Sequence, residues 1–339
     1  MSSPDPLTDL LRQVSRSFYL TLRVLPRAVR PQIGLAYLLA RTTDTIADTG
    51  LLPVEKRLEA LRAYRDLVLG TRKESVQFEK LAGLQDLPAE KTLLERAGEA
   101  VALLDKCTEV DREEIRAALA IISSGQELDL VRFGPAGPDK IIALASEAEL
   151  DDYTYRVAGC VGEFWTRLCR AHLFPDAALD EPLLLANGVR FGKGLQLVNI
   201  LRDLPRDLRQ GRCYLPREEL ESVGLAPGDL LDPSSEAQLG EIYQKHLDRA
   251  ACFLEAGWKY TLALPRQCRR LQLGCAWPIL IGIATIRELR RGGFLDPKRR
   301  IKISRVEVRK IIALTVVLYP FRRVWARLFE RVGMPQRLH

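Results

Sequence analysis

Two pairs of aspartates have a spacing suited to metal chemistry: Asp44 with Asp48, and Asp203 with Asp207, each an Asp-x-x-x-Asp. On a helix, residues four apart share a face, with Cβ atoms about 5–6 Å apart. Carboxylates so placed can share Mg2+, which takes hard oxygen ligands and keeps water or substrate phosphate in its remaining positions. That arrangement can hold a diphosphate and neutralise it as it leaves. Spacing alone is weak, because Asp5/Asp9 and Asp176/Asp180 repeat it near prolines, where solvated surface carboxylates are the ordinary outcome. The neighbours separate the other two pairs. Asp44 closes a run from Ile33 that is apolar on nearly every side. A helix apolar all round is buried, so its acidic end is expected to face an internal cavity. Arg41, three residues before Asp44 on the same face, is placed to contact phosphate. In the second segment Gln196, Asn199, Asp203 and Asp207 follow one helical stripe, with Arg202 beside it. A polar stripe on an otherwise apolar helix is costly unless satisfied. A structural hydrogen-bond network would satisfy it; metal and diphosphate would do so more fully. Pro205 inside this run is expected to kink or loosen the last turn.

The elements that must position these residues read as helices. Apolar residues three and four apart predict helices near 32–49, 54–70, 89–105, 111–132, 150–170, 182–208, 236–262, 267–291 and 304–330. Breakers fall between them at Gly50–Pro53, Phe133–Pro138, Phe174–Pro175, Pro227–Pro233 and Gly292–Pro297. With no long linker and no internal repeat, one large helical domain is the simplest account. Hydrophobic residues at 47% of the 339 exclude wholesale disorder and allow a sizeable core. The seven cysteines are odd in number and form no Cys-x-x-Cys pair, and Met1–Asp9 is polar and Pro-bearing, unlike a secretion signal. Reduced thiols in a cytoplasmic protein are the expectation.

Net charge is +7, yet from Thr285 to His339 there are 15 Lys/Arg against four Asp/Glu, so the basic excess belongs to the C-terminal region. It could meet phosphates or an anionic membrane surface. Nothing resembling a nucleic-acid-binding module accompanies it, and no nucleic-acid partner is expected. No stretch reaches the roughly 18–20 apolar residues that span a bilayer. The nearest, Ile311–Phe321, runs into Arg322 and Arg323 and then interleaves Val324, Trp325, Leu328 and Phe329 with Arg327 and Arg331. A basic amphipathic C-terminal helix over about 304–332 fits this pattern. Such a helix could lie peripherally on the inner face of a membrane or pack its apolar side on the core.

Motifs in fixed order then carry a resemblance: Ser15-Arg-Ser-Phe18, Arg41-x-x-Asp44-Thr-Ile-Ala-Asp48, Tyr153-x-x-x-Val-Ala-Gly-x-Val-Gly162, Gln196-x-x-Asn-Ile-x-Arg-Asp203 and Gly211-Arg-x-Tyr-Leu-Pro216. From Ser15 to about Lys310 the chain resembles the squalene/phytoene synthase family, most closely its bacterial squalene-forming members. The resemblance implies an all-α, single-domain isoprenoid (terpenoid) synthase fold with a central apolar cavity and the two Asp-rich motifs facing each other across it. It implies head-to-head joining of two prenyl diphosphates: ionisation gives an allylic cation, the second molecule's double bond attacks, and proton loss closes a cyclopropane. A second ionisation rearranges that intermediate to the linear product. Asp44, Asp48, Asp203 and Asp207 match the family's Mg2+ ligands. Ser15, Arg16, Arg41, Asn199, Arg202 and Arg212 match its diphosphate contacts, with Phe18 and Gln196 in the same motifs as substrate-binding candidates. Tyr153 and Tyr37 match tyrosines that assist proton removal or steer the cation. A tyrosine of pKa about 10 is a poor free base, so released diphosphate is the alternative proton acceptor.

The chain departs from the family at Ala47 and Arg206, where Glu is frequent before the second aspartate. It also departs at Gly274, before Cys275-Ala-Trp-Pro278, where animal squalene synthases carry an aromatic. The segment Arg300-Ile-Lys302-Ile-Ser-Arg305 resembles the squalene-type stretch that contacts NADPH through basic residues. Lys302 and Arg305 could grip its phosphates, and without a Gly-rich fingerprint such a site must be built on helices. The expected reaction is therefore two farnesyl diphosphates joined through presqualene diphosphate to squalene, with NADPH reduction. Phytoene or dehydrosqualene synthesis without NADPH is the alternative. A non-catalytic helical diphosphate-binding protein and a terpene cyclase stand further off.

Overall fold

The computed structural model describes residues 6–15, 18–74, 76, 78–299 and 301–334. They form two compact units, one made of residues up to Gly134 with Phe164–Asp176, the other of Pro135–Glu163 and Ala177 onward. Nearly all regular structure is helical.

The first unit holds α1 (Pro6–Val14), α2 (Phe18–Val24), α3 (Arg30–Ala47), α4 (Val54–Leu69), α5 (Glu79–Gly83), α6 (Pro88–Glu95), α7 (Ala97–Ala102) and α8 (Glu109–Phe133). Helix α3 is its axis, packed by α4, α6, α7 and α8. From Ile33 to Ala47 only Tyr37, Ala40, Arg41 and Asp44 are not buried. That is one stripe at spacings of three and four, as the apolar surroundings of Asp44 require. Helix α4 stops at Gly70, whose φ of 79° is the left-handed C-cap that glycine adopts without a Cβ penalty. Thr108 caps α8 by accepting from Asp111 N–H at 3.2 Å. Asp111, though buried, is held by His172 at 2.7 Å and by Gln32 at 3.2 Å. Helices α1, α2 and α5 had no sequence prediction; at nine, seven and five residues they are shorter than the window over which helical periodicity is read. The predicted 89–105 helix is α6, α7 and a tight turn at Leu103–Lys106.

In the second unit β1 (Ile142–Leu144) pairs in parallel with β2 (Arg212–Pro216), Ile142 opposite Arg212. Sequence periodicity did not reveal this small sheet. Helix α9 (Glu147–Thr154) passes through a π-turn at Tyr155–Gly159 into α10 (Cys160–Leu173), which begins in this unit. Then come α11 (Glu181–Arg209), α12 (Arg217–Ser222), α13 (Glu236–Ala263), α14 (Arg269–Leu289), α15 (Arg305–Leu318), α16 (Arg322–Ala326) and α17 (Leu328–Gly333). Helix α11 packs on α13, on α14 and on the π-turn. The last contact is backbone on backbone. A Cβ on Gly162 would lie 2.0 Å from the Gly188 carbonyl oxygen, and one on Gly192 would lie 2.2 Å from that of Ala158. The Val-Ala-Gly-x-Val-Gly162 run is thus the print of a helix crossing too close for side chains.

Two prolines bear on the sequence reading. Pro205 lies inside α11, which runs to Arg209, close to the predicted end at 208. Lacking an N–H, Pro205 cannot bond the Leu201 carbonyl; the buried Tyr243 hydroxyl donates to that oxygen instead, at 3.0 Å. Pro320, by contrast, divides the single C-terminal helix expected over 304–332 into α15, α16 and α17. Among the described residues no helix is long and apolar enough to cross a membrane, and all seven cysteines are free thiols.

Candidate functional site

Each acidic pair is set by its own helix. In the first unit the half-open stripe of α3 presents Tyr37, Arg41 and Asp44, and Asp48 follows as C-cap, its N–H bonded to the Asp44 carbonyl at 2.9 Å. Both carboxylates therefore sit at the helix C-terminus, the negative pole of the backbone dipole, with no basic residue of α3's last turn to offset them. Crowding by protein, together with the Asp48 charge, pushes the Asp44 carboxyl up to about 6 despite the opposing pull of Arg41. The side chain nonetheless keeps 43% of its surface open, so a ligand can reach it. Arg41 is clamped, one guanidinium nitrogen on Asp44 and the other on Glu90 of α6 at 2.5 Å. Phe18 stacks on Tyr37 with ring centroids 4.9 Å apart, and the Tyr37 hydroxyl donates to the Val14 carbonyl at 3.3 Å. Ser15, 2% exposed, leaves its Oγ without a hydrogen-bond partner among the described residues. A buried hydroxyl in that condition suits an anion that it can donate to. Arg16 lies outside the described residues.

In the second unit the half-open face of α11 carries Gln196, Asn199, Arg202, Asp203 and Asp207. The Arg202 guanidinium grips Asp203 with two bonds, 2.9 and 2.6 Å. This pair too lies in the last turns of a helix, but here Arg206 and Arg209 offset the dipole. Arg212 opens β2, after Gly211 (φ 81°), where a Cβ would meet the Gly137 backbone at 2.4 Å. Tyr153 of α9 stacks on Tyr214 of β2, centroids 4.7 Å apart. Asp151, two residues earlier, pairs with the buried Lys193 of α11 and with Arg249 of α13 at 2.7 Å. Lys302 and Arg305 are exposed where the chain enters α15, which packs on α14; Arg300 lies outside the described residues. Ala47 is buried and Arg206 is exposed.

Sequence reasoning missed Glu90, Tyr214, the Lys193–Asp151–Arg249 cluster and Tyr243. The motif Gly211–Pro216 contained Tyr214; nothing marked the rest, whose partners lie far off in sequence.

The donor chemistry fits Mg2+. Each pair offers two carboxylates near a helix end, and the Asp44 carboxyl is raised by burial and by the Asp48 charge, so a cation there would relieve it. Among the described residues no three His, Cys, Asp or Glu gather as a metal cage. A pair of partly exposed carboxylates suits an ion that takes its remaining oxygens from water and a phosphate-bearing substrate. Asp44, Asp48, Asp203 and Asp207 are the residues that would hold it. Arg41 and Arg202 already lie on the first aspartate of each pair.

The model of the squalene/phytoene synthase family matches residues 11–307, and the chain belongs to that family. It is 27% identical over 307 residues to the presqualene diphosphate synthase of Rhodopseudomonas palustris, covering 90% of this chain and 94% of that one. It is 34% identical over 242 residues to the presqualene diphosphate synthase of Zymomonas mobilis, covering 71% and 69%. The solved complex of TcSQS with the ligand E5700 superposes with a TM-score of 0.74 at 20% identity, covering 96% of this chain and 97% of that one, which shows the fold. The all-α isoprenoid synthase fold expected from the motifs is the fold observed.

Proposed function

We propose that the protein joins two farnesyl diphosphates head to head to give presqualene diphosphate and inorganic diphosphate. The supporting observation is that both helices bearing an Asp-x-x-x-Asp pair hold its first aspartate half-open with an arginine upon it. The names of the two bacterial relatives point to the same product. When bound, Mg2+ supplies the positive charge that stabilises the departing diphosphate. The chain's own residues do the rest. Arg41 and Arg202 can transfer their guanidinium hydrogen bonds from carboxylate to phosphate oxygen, an exchange of like for like. Ser15 Oγ can donate to the same anion. The allylic C–O bond breaks with its electron pair on the diphosphate, and the second substrate's double bond attacks the resulting carbon. A proton then leaves as the cyclopropane closes. Stacked rings at Phe18/Tyr37 and Tyr153/Tyr214 provide π-faces suited to a passing cation. The released diphosphate is a better proton acceptor than either phenol.

A second reading extends the reaction to squalene with NADPH. Lys302 and Arg305, exposed and without an ion pair among the described residues, are cations available for its phosphates. One experiment tests both readings. Purified protein is incubated with farnesyl diphosphate and Mg2+, with and without NADPH, and products are read by mass spectrometry. Presqualene diphosphate in both mixtures supports the first reading, and squalene formed only with NADPH adds the second. No C30 product from farnesyl diphosphate overturns the reading, and phytoene from geranylgeranyl diphosphate would place the protein in the family's other branch.

A further inference from the structure

Positive charge and open apolar surface coincide on the outer side of the C-terminal helices. Between Val308 and Phe329 the chain carries Arg309, Lys310, Arg322, Arg323 and Arg327, all exposed, and no Asp or Glu. Within the same stretch Val317 is 65% exposed, Phe321 61% and Val324 45%. These side chains are held outward by a packed inner side. Trp325 is buried, donates to the Thr315 carbonyl at 3.0 Å and stacks on Trp258, whose own indole donates to the Ala326 carbonyl at 2.8 Å. The turn at Pro320 that puts Phe321 on the surface is therefore anchored on both flanks. Tyr319 gathers further charge there: its hydroxyl donates to the Arg266 carbonyl at 3.1 Å, and the Arg269 guanidinium lies 5.0 Å from its ring centre.

We propose that this face docks on an anionic lipid bilayer, with Val317, Phe321 and Val324 entering the headgroup–acyl boundary and the surrounding guanidiniums meeting lipid phosphates. The break at Pro320 sharpens the idea of one amphipathic helix, because it makes a turn with Phe321 at its tip the inserting element. A second copy of this chain is a poorer occupant, since apposed faces would set these cations against their equivalents with no carboxylate in the stretch to relieve them. Nucleic acid would leave Val317 and Phe321 without an apolar partner. The proposal is independent of the product formed by the acidic pairs.

Flotation of the full chain with vesicles tests it, comparing phosphatidylcholine alone with mixtures containing about 30 mol % phosphatidylglycerol. The protein is expected to float with the anionic vesicles and to leave them at high salt, as a surface-charge interaction requires. At about fivefold per cation, R322E/R323E should lower partitioning about 25-fold or more. V317E/F321E should abolish it while circular dichroism stays unchanged, because both side chains are exposed. Absence of flotation, equal flotation with phosphatidylcholine alone, or binding unaffected by V317E/F321E would overturn the proposal. So would a concentration-dependent dimer lost in V317E/F321E with no vesicle binding, which would assign the face to a second copy.

Discussion

The two aspartate pairs share a spacing but sit on differently built helices. Helix α3 ends at its aspartates, with nothing basic in its last turn, and six other helices pack against it. Its one tight glycine, Gly34, meets only the far end of Leu11, at 3.0 Å. Helix α11 runs beyond its aspartates and bears Arg206 and Arg209 at its end. It carries Pro205 within the pair and touches the preceding helical segment backbone to backbone through Gly162 and Gly192. The first pair leaves a carboxyl raised by burial and by the neighbouring Asp48 charge. The second is flanked by arginines and relies instead on exact backbone fit. Identical motifs can therefore fail for different reasons when mutated.

Matched substitutions expose the difference. Gly162→Ala should cost about 3 kcal/mol or more, since its Cβ would meet a carbonyl oxygen rather than a side chain that can move. Gly34→Ala should stay below about 1 kcal/mol, its steric cost partly offset by helix propensity. Equal urea midpoints for the two would erase the contrast. Next in size, Tyr243→Phe strands the Leu201 carbonyl and should cost about 1–3 kcal/mol. In a Pro205→Ala background the new N–H can take that carbonyl, and the same substitution should then cost under about 0.5 kcal/mol. A cost independent of residue 205 would contradict the compensation. The smallest effects are titrations of the metal-free protein. Asp44 should titrate near 6, followed by carboxyl carbon NMR. Because its folded value lies above the ordinary 3.8, the native state binds this proton more tightly than the unfolded chain. Its contribution therefore lowers stability as pH rises from about 4 through 6. Asp48→Asn should bring the midpoint down, Glu90→Gln should do so less, and Arg41→Ala should raise it.

The helices that bear the aspartates were legible in the sequence because their buried residues recur three and four apart, most completely in α3, where burial spares one stripe from Ile33 to Ala47. Pro205 was visible too, but not its consequence, since the compensating Tyr243 lies 42 residues further along the chain. The paired strands at Ile142–Leu144 and Arg212–Pro216 are too short to show alternation, and the π-turn at Tyr155–Gly159 is hidden inside a continuous helical period. Glu90 sits 49 residues from the arginine that it holds. No local pattern links the two. Motif order located the acids and arginines; the acids' partners are properties of packing.

The proposal that both aspartate pairs are needed for ionisation is tested most directly by following inorganic diphosphate released from farnesyl diphosphate and Mg2+ by the native protein and by Asp44→Asn and Asp203→Asn separately, with helical circular dichroism as the check on folding. Loss of release by about a thousandfold or more in each variant is the expected result. Native-like release from either folded variant would show that its aspartate pair is not part of the reaction.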